Sequence, residues 1–418
     1  MQDQTLPLKE LIPLSRQAAG EGIVLLENRD GTLPVKAGET LALFGRCQIN
    51  TYRSGTGSGG AVNVPYAVNA LAGLRAHPKL KVNEELAAIY EAWIAANPFD
   101  DGGGGWTAEP WFQREMPLAD GIVSRAAAVS DKALVFIGRT AGEDKDYADA
   151  PGSYRLTELE TAMISAVASH FDKVVIVLNT TNIIDMSWLE SIAGKDSIKA
   201  VLYSWAAGME GGHALAEMLA GDVSPSGRLA DTIAWRLEDY PSAAHFGSRS
   251  FNLYAEDIYV GYRYFETFKP EAVQYPFGAG LSYARFERDP VVFATDGHGV
   301  GQILHFDVTI RNSGPVYAGK EVVQLYCEAP QGRLGKPARV LAGFAKTRTL
   351  KPGEHETLRI SVPLASLASY DDSGATGHRS CSVLEAGRYV FHVGGSVREA
   401  QPIGPVLELA EQIGRAHV

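Results

Sequence analysis

The chain has 418 residues, of which 45% are hydrophobic and 21% charged, and its mean hydropathy is −0.07, values typical of a folded protein with two or three domains. Its formal net charge of −11 argues against a nucleic-acid partner and against an anionic membrane surface, because both need a basic face, and it favours a neutral ligand. No apolar run reaches the length of a membrane span.

The amino-terminal residues and the cysteines favour a cytoplasmic protein. Residues 1–13 contain neither a basic segment nor an apolar stretch, so no secretory signal is predicted. Cys47, Cys327 and Cys381 are odd in number and far apart, without the spacing of a zinc or redox site. We therefore expect buried free thiols in a reducing compartment, with no metal and no cofactor.

Strand and helix patterns alternate through the first two thirds of the chain. Short β-branched apolar runs, which suit strands buried on both faces of a mainly parallel sheet, lie at Leu41–Phe44, Ala133–Ile137, Val174–Leu178 and Ala200–Tyr203. Helical patterns lie at 8–27, 156–170 and 210–220. The first of them leads into a strand or a turn at residues 22–26. Thr157 and Glu160 form a capping box, and Gly221 is a natural helix end. The alternation predicts an α/β layered domain.

After Phe286 the pattern changes to an alternation of apolar and polar residues with period two. Turn sequences such as Asn312-Ser313-Gly314-Pro315 separate the alternating segments, as in an antiparallel β-sandwich. These segments cover residues 305–312, 321–329, 339–346, 355–362 and 387–394. We place the α/β domain at residues 1–285, the sandwich at 286–410 and a tail at 411–418.

A glycine-rich loop, SGTGSGG, occupies Ser54–Gly60 and satisfies the G-x-G-x-x-G pattern of dinucleotide-binding proteins. That pattern works only where the loop directly follows a strand and opens a helix. Here the preceding strand ends near Gly45, well before the loop, although Pro65 is predicted to open a helix. Nucleotide binding is therefore disfavoured, and a tight turn is as well supported as any ligand role.

Four carboxylates follow the predicted strand at 133–137: Glu143, Asp144, Asp146 and Asp149. Ligands of open α/β sheets bind at the carboxyl ends of strands, where this loop emerges. Acid chemistry needs one carboxyl with a raised pKa and a second one elsewhere. By itself the segment reads as a solvated acidic loop, and nothing local distinguishes Glu143 from its neighbours.

Aromatic residues are concentrated in two regions. Residues 100–105 (DDGGGG) precede Trp106 and Trp111, and four consecutive glycines predict a flexible loop without a regular element. The tyrosine-rich stretches at 256–266 and 275–287 suit either a sugar-stacking surface or a packed connection between domains, and we favour the connection. His213, at a helix start, is interpreted as structural.

Several long segments together resemble family 3 glycoside hydrolases, the β-glucosidase and β-xylosidase group. They follow the family's own order from about Glu21 to Arg398, so the resemblance covers nearly the whole chain. It implies an α/β domain followed by a fibronectin type III-like sandwich. The matching segments are EGIVLLENRDGTLPV, SGTGSGG, AGMEGGHALAEMLAGDVSPSGRLADTI, IYVGYRYFE and YPFGAGLSY, and in the sandwich AGKEVVQLYCEAP, LAGF, LKPGE and LEAGRYVFHVG.

The resemblance implies retaining hydrolysis of small β-glycosides or oligosaccharides by two carboxyl groups ~5–5.5 Å apart. The family's nucleophile is an aspartate in a (β/α)₈ barrel, and its acid/base is often a glutamate on a loop of the α/β domain. The segment GRTAGEDKDY is similar to that loop, which carries the acid/base role to Glu143. The SGTGSGG segment is similar to the family loop that lines the sugar site, so Arg53 and Ser54 become substrate-binding candidates. Trp106, on the glycine-rich loop with large aromatic residues, is a further substrate-binding candidate.

No barrel is predicted in this chain, since no second βα series and no S-D-W segment is present. Some family members have the reversed order, with the barrel last, and the chain fits that group as a truncated product. Its tail, Ile413–Val418, is also similar to a translated sequencing adapter.

The favoured hypothesis is thus a fragment of an exo-acting β-glycosidase that lacks its nucleophile. A non-catalytic carbohydrate-binding or assembly module and, more weakly, a nucleotide-binding protein remain as alternatives. The preferred sugar (glucoside, xyloside or arabinopyranoside) and homo-oligomer formation stay open.

Overall fold

The computed structural model describes residues 8–60 and 62–416. Of the segment used to predict the absence of a secretory signal, residues 1–7 lie outside this part, as do residues 417–418 of the predicted tail. No helix among the described residues is long and apolar enough to cross a membrane. Internal contacts divide the chain into a first unit, Met1–Gly227 with Gly280–Tyr283, and a second unit, Arg228–Ala279 with Ala284–Val418.

Within the described residues of the first unit, six strands form one sheet in the order β1-β6-β5-β4-β2-β3. Strand β1 is antiparallel to β6, and the other neighbours are parallel. The strands are β1 (Val24–Asn28), β2 (Thr40–Phe44), β3 (Lys81–Val82), β4 (Lys132–Arg139), β5 (Val174–Thr180) and β6 (Ile198–Tyr203), and the helices are α1 (Leu8–Gly22), α2 (Ala70–Ala76), α3 (Glu84–Ala96), α4 (Ile122–Val129), α5 (Glu158–Ala168) and α6 (Gly211–Leu219).

The predicted α/β layers are confirmed, including all four predicted buried strands. Every residue of β5 is buried, as expected for a strand covered on both faces. Both halves of the capping box of α5 form, because Thr157 accepts from the N–H of Glu160 and the Glu160 carboxylate accepts from the N–H of Thr157. Gly221 follows α6 with φ +77°, a conformation that suits glycine.

The predicted helix start at Pro65 is wrong, because α2 begins at Ala70. The cap is Asn69, whose side chain accepts from the N–H of Ala72 at 2.8 Å. The N–H of Val68 donates to Met209 at 2.8 Å, and this tertiary hydrogen bond holds the preceding segment in a non-helical conformation. Such a bond leaves no signal in the local sequence.

The glycine run at 100–105 folds as a turn, and one of the cysteines differs from expectation. Gly102–Gly104 have positive φ at all three residues, a left-handed conformation that suits glycine and does not form a regular helix. Cys47 and Cys327 are buried free thiols, and burial raises the pKa of each to about 12. Cys381 is only half-buried, so the expectation of a buried thiol is wrong there.

The second unit contains the predicted antiparallel β-sandwich. One sheet orders β10-β11-β14 with β9 beside β11, and the other orders β13-β12-β17-β18. Alternate residues of β11 (Leu304, Phe306, Val308 and Ile310) are buried in the core between the sheets, which explains the period-two pattern. The strands are β9 (Phe286–Arg288), β10 (Val292–Asp296), β11 (Ile303–Asn312), β12 (Val322–Glu328), β13 (Val340–Lys346), β14 (His355–Pro363), β17 (Gly387–Gly394) and β18 (Gln401–Leu409).

Smaller elements complete this unit: β7 (Ile233–Ala234), α7 (Tyr262–Phe268), β8 (Val273–Tyr275), β15 (Ser369–Asp371), β16 (Cys381–Leu384) and β19 (Gln412–Ala416). Part of the tyrosine-rich region packs inside the unit. Tyr262 stacks on Phe277 with ring centroids 4.5 Å apart and meets the edge of Tyr326, which supports packing over sugar stacking for these rings. In the tail, β19 pairs with β16.

Candidate active site

The parallel strands β2, β4, β5 and β6 end at one edge of the sheet of the first unit. The loops that follow them therefore emerge side by side, as in other open α/β sheets that bind ligands at this edge. They carry the glycine-rich segment, the acidic segment around Glu143, and Trp205.

The glycine-rich and acidic loops run next to each other with very little space between them. The N–H of Thr56 donates to the carbonyl of Ala141 at 3.0 Å, and Thr56 forms a β-bridge with Gly142. A Cβ atom on Gly142 would collide with Thr56, and one on Gly57 would collide with Glu143. Glycine is therefore needed at both positions for this close approach.

Glu143 lies on the acidic loop, exposed to solvent. Its Oε2 atom accepts from the N–H of Ser58 at 2.9 Å. Hydrogen bonds from the side chain and the backbone of Ser58 hold the pKa of Glu143 below its ordinary value. At neutral pH this carboxyl is therefore ionised, which suits a base and not a proton donor.

Arg53 and Ser54 begin the glycine-rich loop, and a buried amide fixes the residue before them. Asn179, at the end of β5, accepts from the N–H of Tyr52 at 2.7 Å and donates to its carbonyl at 2.8 Å. The same side chain donates to the carbonyl of Trp205 at 2.5 Å. The guanidinium of Arg53 donates to the carbonyl of Val62 at 2.9 Å.

Trp106 belongs to a third segment, which is tied to the acidic loop. Its indole N–H donates to Asp144 at 3.1 Å, while 56% of the residue stays exposed. Lys145 donates to the carbonyl of Thr107 at 3.1 Å, and the indole of Trp111 donates to the carbonyl of Asp146 at 3.0 Å. Thr107 has φ +53°, an unusual conformation for a β-branched residue, so the backbone beside Trp106 is strained.

A cavity of about 590 Å³ lies between these segments. Arg53, Ser54 and Trp106 line this cavity. Glu143 lies directly beside Gly57, which also lines the cavity. All of the residues selected from the sequence thus lie at one edge of the sheet. Within the described residues, no group of three histidine, cysteine, aspartate or glutamate side chains could hold a metal ion.

The sequence reasoning missed Glu109, which lines the same cavity. Its carboxyl makes no hydrogen bond or ion pair with any residue that the structure describes, and burial raises its pKa. The available signal was its position in W-T-A-E-P-W, a carboxylate between two tryptophans directly after the glycine run.

The described residues form an α/β domain with a candidate ligand site at its loop edge, followed by an antiparallel β-sandwich. Residues 23–283 match the glycosyl hydrolase family 3 C-terminal domain, and residues 321–397 match the fibronectin type III-like domain. The chain belongs to glycosyl hydrolase family 3.

Similar proteins include a β-glucosidase of Ruminococcus albus, 46% identical over 95% of this chain, and β-glucosidase A of Butyrivibrio fibrisolvens, 38% identical over 96%. A β-glucosidase structure from Paenibacillus barengoltzii superposes on 98% of the chain with a TM-score of 0.96 and 56% identity. β-Glucosidase 3B of Thermotoga neapolitana, solved in complex with glucose, superposes on 97% with a TM-score of 0.86 and 33% identity. The chain spans only 40%, 51%, 44% and 55% of these four proteins, respectively.

Proposed function

We propose that this chain is part of a retaining, exo-acting β-glycosidase that hydrolyses small β-glucosides or similar β-glycosides. The observation that carries the proposal is the convergence of Glu143, Arg53, Ser54 and Trp106 on one loop edge of a family 3 domain. Glu143 is the acid/base, and the nucleophile belongs to a (β/α)₈ barrel outside residues 1–418, last in the reversed order.

In this mechanism Glu143 protonates the leaving oxygen while the barrel's aspartate attacks the anomeric carbon. Glu143 then takes a proton from the water that hydrolyses the glycosyl-enzyme. The guanidinium of Arg53 and the hydroxyl of Ser54 bind sugar hydroxyls, and the exposed ring of Trp106 packs against the apolar face of a sugar.

The lowered pKa of Glu143 sets a requirement on the complete enzyme. An acid must hold its proton near the working pH, so the pKa of Glu143 has to rise when the barrel and the substrate cover it. Exclusion of water and a nearby aspartate nucleophile both act in that direction, since each disfavours the charged form.

A second candidate is a carbohydrate-binding or assembly module without catalysis. It is favoured by one observation, the exposed and ionised state of Glu143. Under this alternative Arg53, Ser54 and Trp106 still bind sugar, but no step depends on a proton from Glu143. The domain bounds at 285 and 410, a non-native tail and a cytoplasmic location also remain our proposals.

Joining the chain to the barrel of a similar β-glucosidase tests the proposal. The 418-residue chain alone is expected to leave aryl β-glucosides intact, and the joined chain to hydrolyse them. In the joined chain Glu143→Gln should slow cellobiose hydrolysis by roughly 10²–10⁴-fold. Glycosylation from a substrate with a good leaving group should slow much less, because that group departs with little protonation.

Asp172→Asn is the matched control, because Asp172 is exposed just before β5, at the opposite end of the sheet, and should leave both rates unchanged. Equal losses for the two leaving groups would contradict the acid role of Glu143. A joined chain that binds cellobiose without hydrolysing it would favour the binding module.

A further inference from the structure

We infer that Glu109 binds the leaving-group sugar of the substrate, where its carboxyl accepts hydrogen bonds from sugar hydroxyls and favours β-linked disaccharides over aryl glycosides. This inference rests on the proposed function and adds the specificity of the site.

The position of Glu109 is the first support. It lines the cavity of about 590 Å³ together with Arg53, Ser54 and Trp106. It lies three residues after Trp106, on the segment that Lys145 and Asp144 tie to the acidic loop.

The expected position of the leaving-group sugar in the cavity follows from the role of Glu143 as the acid. Glu143 has to approach the oxygen between the two sugars in order to protonate it. Asp144 and Lys145, the next residues along, hold the Trp106 segment beside that loop. We place Glu109, on that segment, on the side of the leaving group.

The second support is that Glu109 has no structural partner. It is half-buried, yet its carboxyl accepts no hydrogen bond from any described residue. Glu115 on the same segment shows the contrast, since its buried carboxylate accepts from the N–H groups of Arg46 and Met116. Partial burial of a carboxyl without a protein partner is unfavourable, so Glu109 is a group to which a ligand can donate hydrogen bonds.

The surrounding charges define the class of ligand. Burial is the main cause of the raised pKa of Glu109; Asp100 and Asp101 act in the same direction, and Lys145 opposes them. Asp100, Asp101 and Glu109 itself repel an anionic sugar such as a uronate, and Lys145 offsets only part of the repulsion from these three carboxyl groups. Neutral sugars, whose hydroxyls donate hydrogen bonds, fit this environment.

Kinetics of the chain joined to a barrel test the inference. Glu109→Ala should lower kcat/KM for cellobiose by about tenfold or more, mainly by raising KM, because the sugar hydroxyls lose their contacts with one half-buried carboxyl. The same variant should change kcat/KM for p-nitrophenyl β-glucoside by less than about threefold, since the aryl group offers no such hydroxyls. Glu109→Gln, of nearly equal shape, should keep part of the cellobiose activity.

The control is Glu85→Gln, an exposed residue of α3, which should leave both substrates unaffected. Equal changes for cellobiose and the aryl glucoside, or no change for cellobiose, would overturn the role of Glu109. A joined wild-type chain without any activity would instead overturn the proposed function, so the two failures are distinct.

Discussion

The carboxyl groups of the two units are used in different ways. In the sandwich unit, buried Asp371 accepts hydrogen bonds from three successive backbone N–H groups and two hydroxyls of residues 373–376. Buried Glu385 accepts from the N–H groups of Arg333 and Leu334 and pairs with Lys336. Asp371 therefore holds the loop that follows it, and Glu385 holds residues 333–336 of the connection between β12 and β13, so both carboxylates have structural roles.

The loop edge of the α/β unit contrasts with this arrangement. Glu143 accepts from Ser58, and Glu109 has no partner among the described residues. Long loops after parallel strands leave room for such groups, whereas backbone N–H groups enclose the carboxylates of Asp371 and Glu385. The number of hydrogen bonds that a carboxylate accepts thus separates structural carboxylates from those available for chemistry.

The largest expected effect tests a saturated carboxylate of the first unit. Glu160 forms a two-pronged ion pair with fully buried Arg139, at 2.6 and 2.7 Å. Glu160→Gln leaves the arginine charge buried and uncompensated, which should lower the free energy of unfolding by about 3–5 kcal/mol in urea titrations. Glu143→Gln should leave the unfolding midpoint unchanged.

The exposed ion pair of Arg75 with Glu84 is the control for this experiment. Its atoms are 2.6 Å apart, but Glu84→Gln should cost less than about 1 kcal/mol because solvent screens the pair. If Glu160→Gln lowers the free energy of unfolding as little as Glu84→Gln does, a carboxylate with all its hydrogen bonds made would not have the structural role that we assign to it.

A middle-sized effect depends on pH. Burial raises the pKa of Glu115 from 4.5 to about 7, so the folded state favours its protonated form. The protonated side chain contributes fully to the free energy of unfolding below about pH 4.5, and this contribution is lost as the pH rises through about 7. The total loss is roughly 3 kcal/mol, at ~1.4 kcal/mol per pKa unit.

Glu115→Gln removes this titration while keeping the shape of the protonated side chain. The stability of wild type minus that of the variant should therefore fall between pH 4.5 and 7 in urea titrations, and other groups cancel in the difference. A stability difference that does not change with pH would show that ionisation of Glu115 does not destabilise the fold. Glu115 would then behave like the ionised carboxylates Asp371 and Glu385 of the sandwich unit.

The smallest expected effect concerns the contact between the Trp106 segment and the acidic loop. Lys145→Met removes the hydrogen bond to Thr107 and the charge 5.7 Å from the centre of the Trp111 ring. Hydrogen exchange should accelerate at residues 100–109, while global stability should change by less than about 1 kcal/mol.

Lys195→Met is the matched control, because Lys195 also donates to a backbone carbonyl, that of Glu190, away from the site. It should leave exchange at 100–109 unchanged. Equal acceleration in both variants would show that Lys145 does not hold the Trp106 segment.

Much of the fold is predictable from the sequence because local patterns encode it. The strands at 133–137 and 174–178 are buried on both faces, so their sequences are unbroken apolar runs. Thr157 and Glu160 encode the capping box of α5. The true start of α2 is not encoded locally, since it depends on a hydrogen bond from Val68 to Met209.

The site was predictable only in part. The resemblance selected Glu143, Arg53 and Ser54, and the structure brings their loops together at one edge. Glu109 could not be selected, because its lack of a partner appears only when the surrounding loops are folded. The direction of the pKa of Glu143 likewise depends on Ser58, a contact across 85 residues of sequence.

The side chain of Asn179 has a consequence for protein engineering. It bonds to both Tyr52 and Trp205, while Gly57 and Gly142 leave no space between the two neighbouring loops. A loop transplanted alone from another enzyme would meet the wrong anchor and the wrong neighbour. Grafts intended to change the preferred sugar should therefore exchange the segments after β2, β4 and β6 as one cassette, together with the residue at 179.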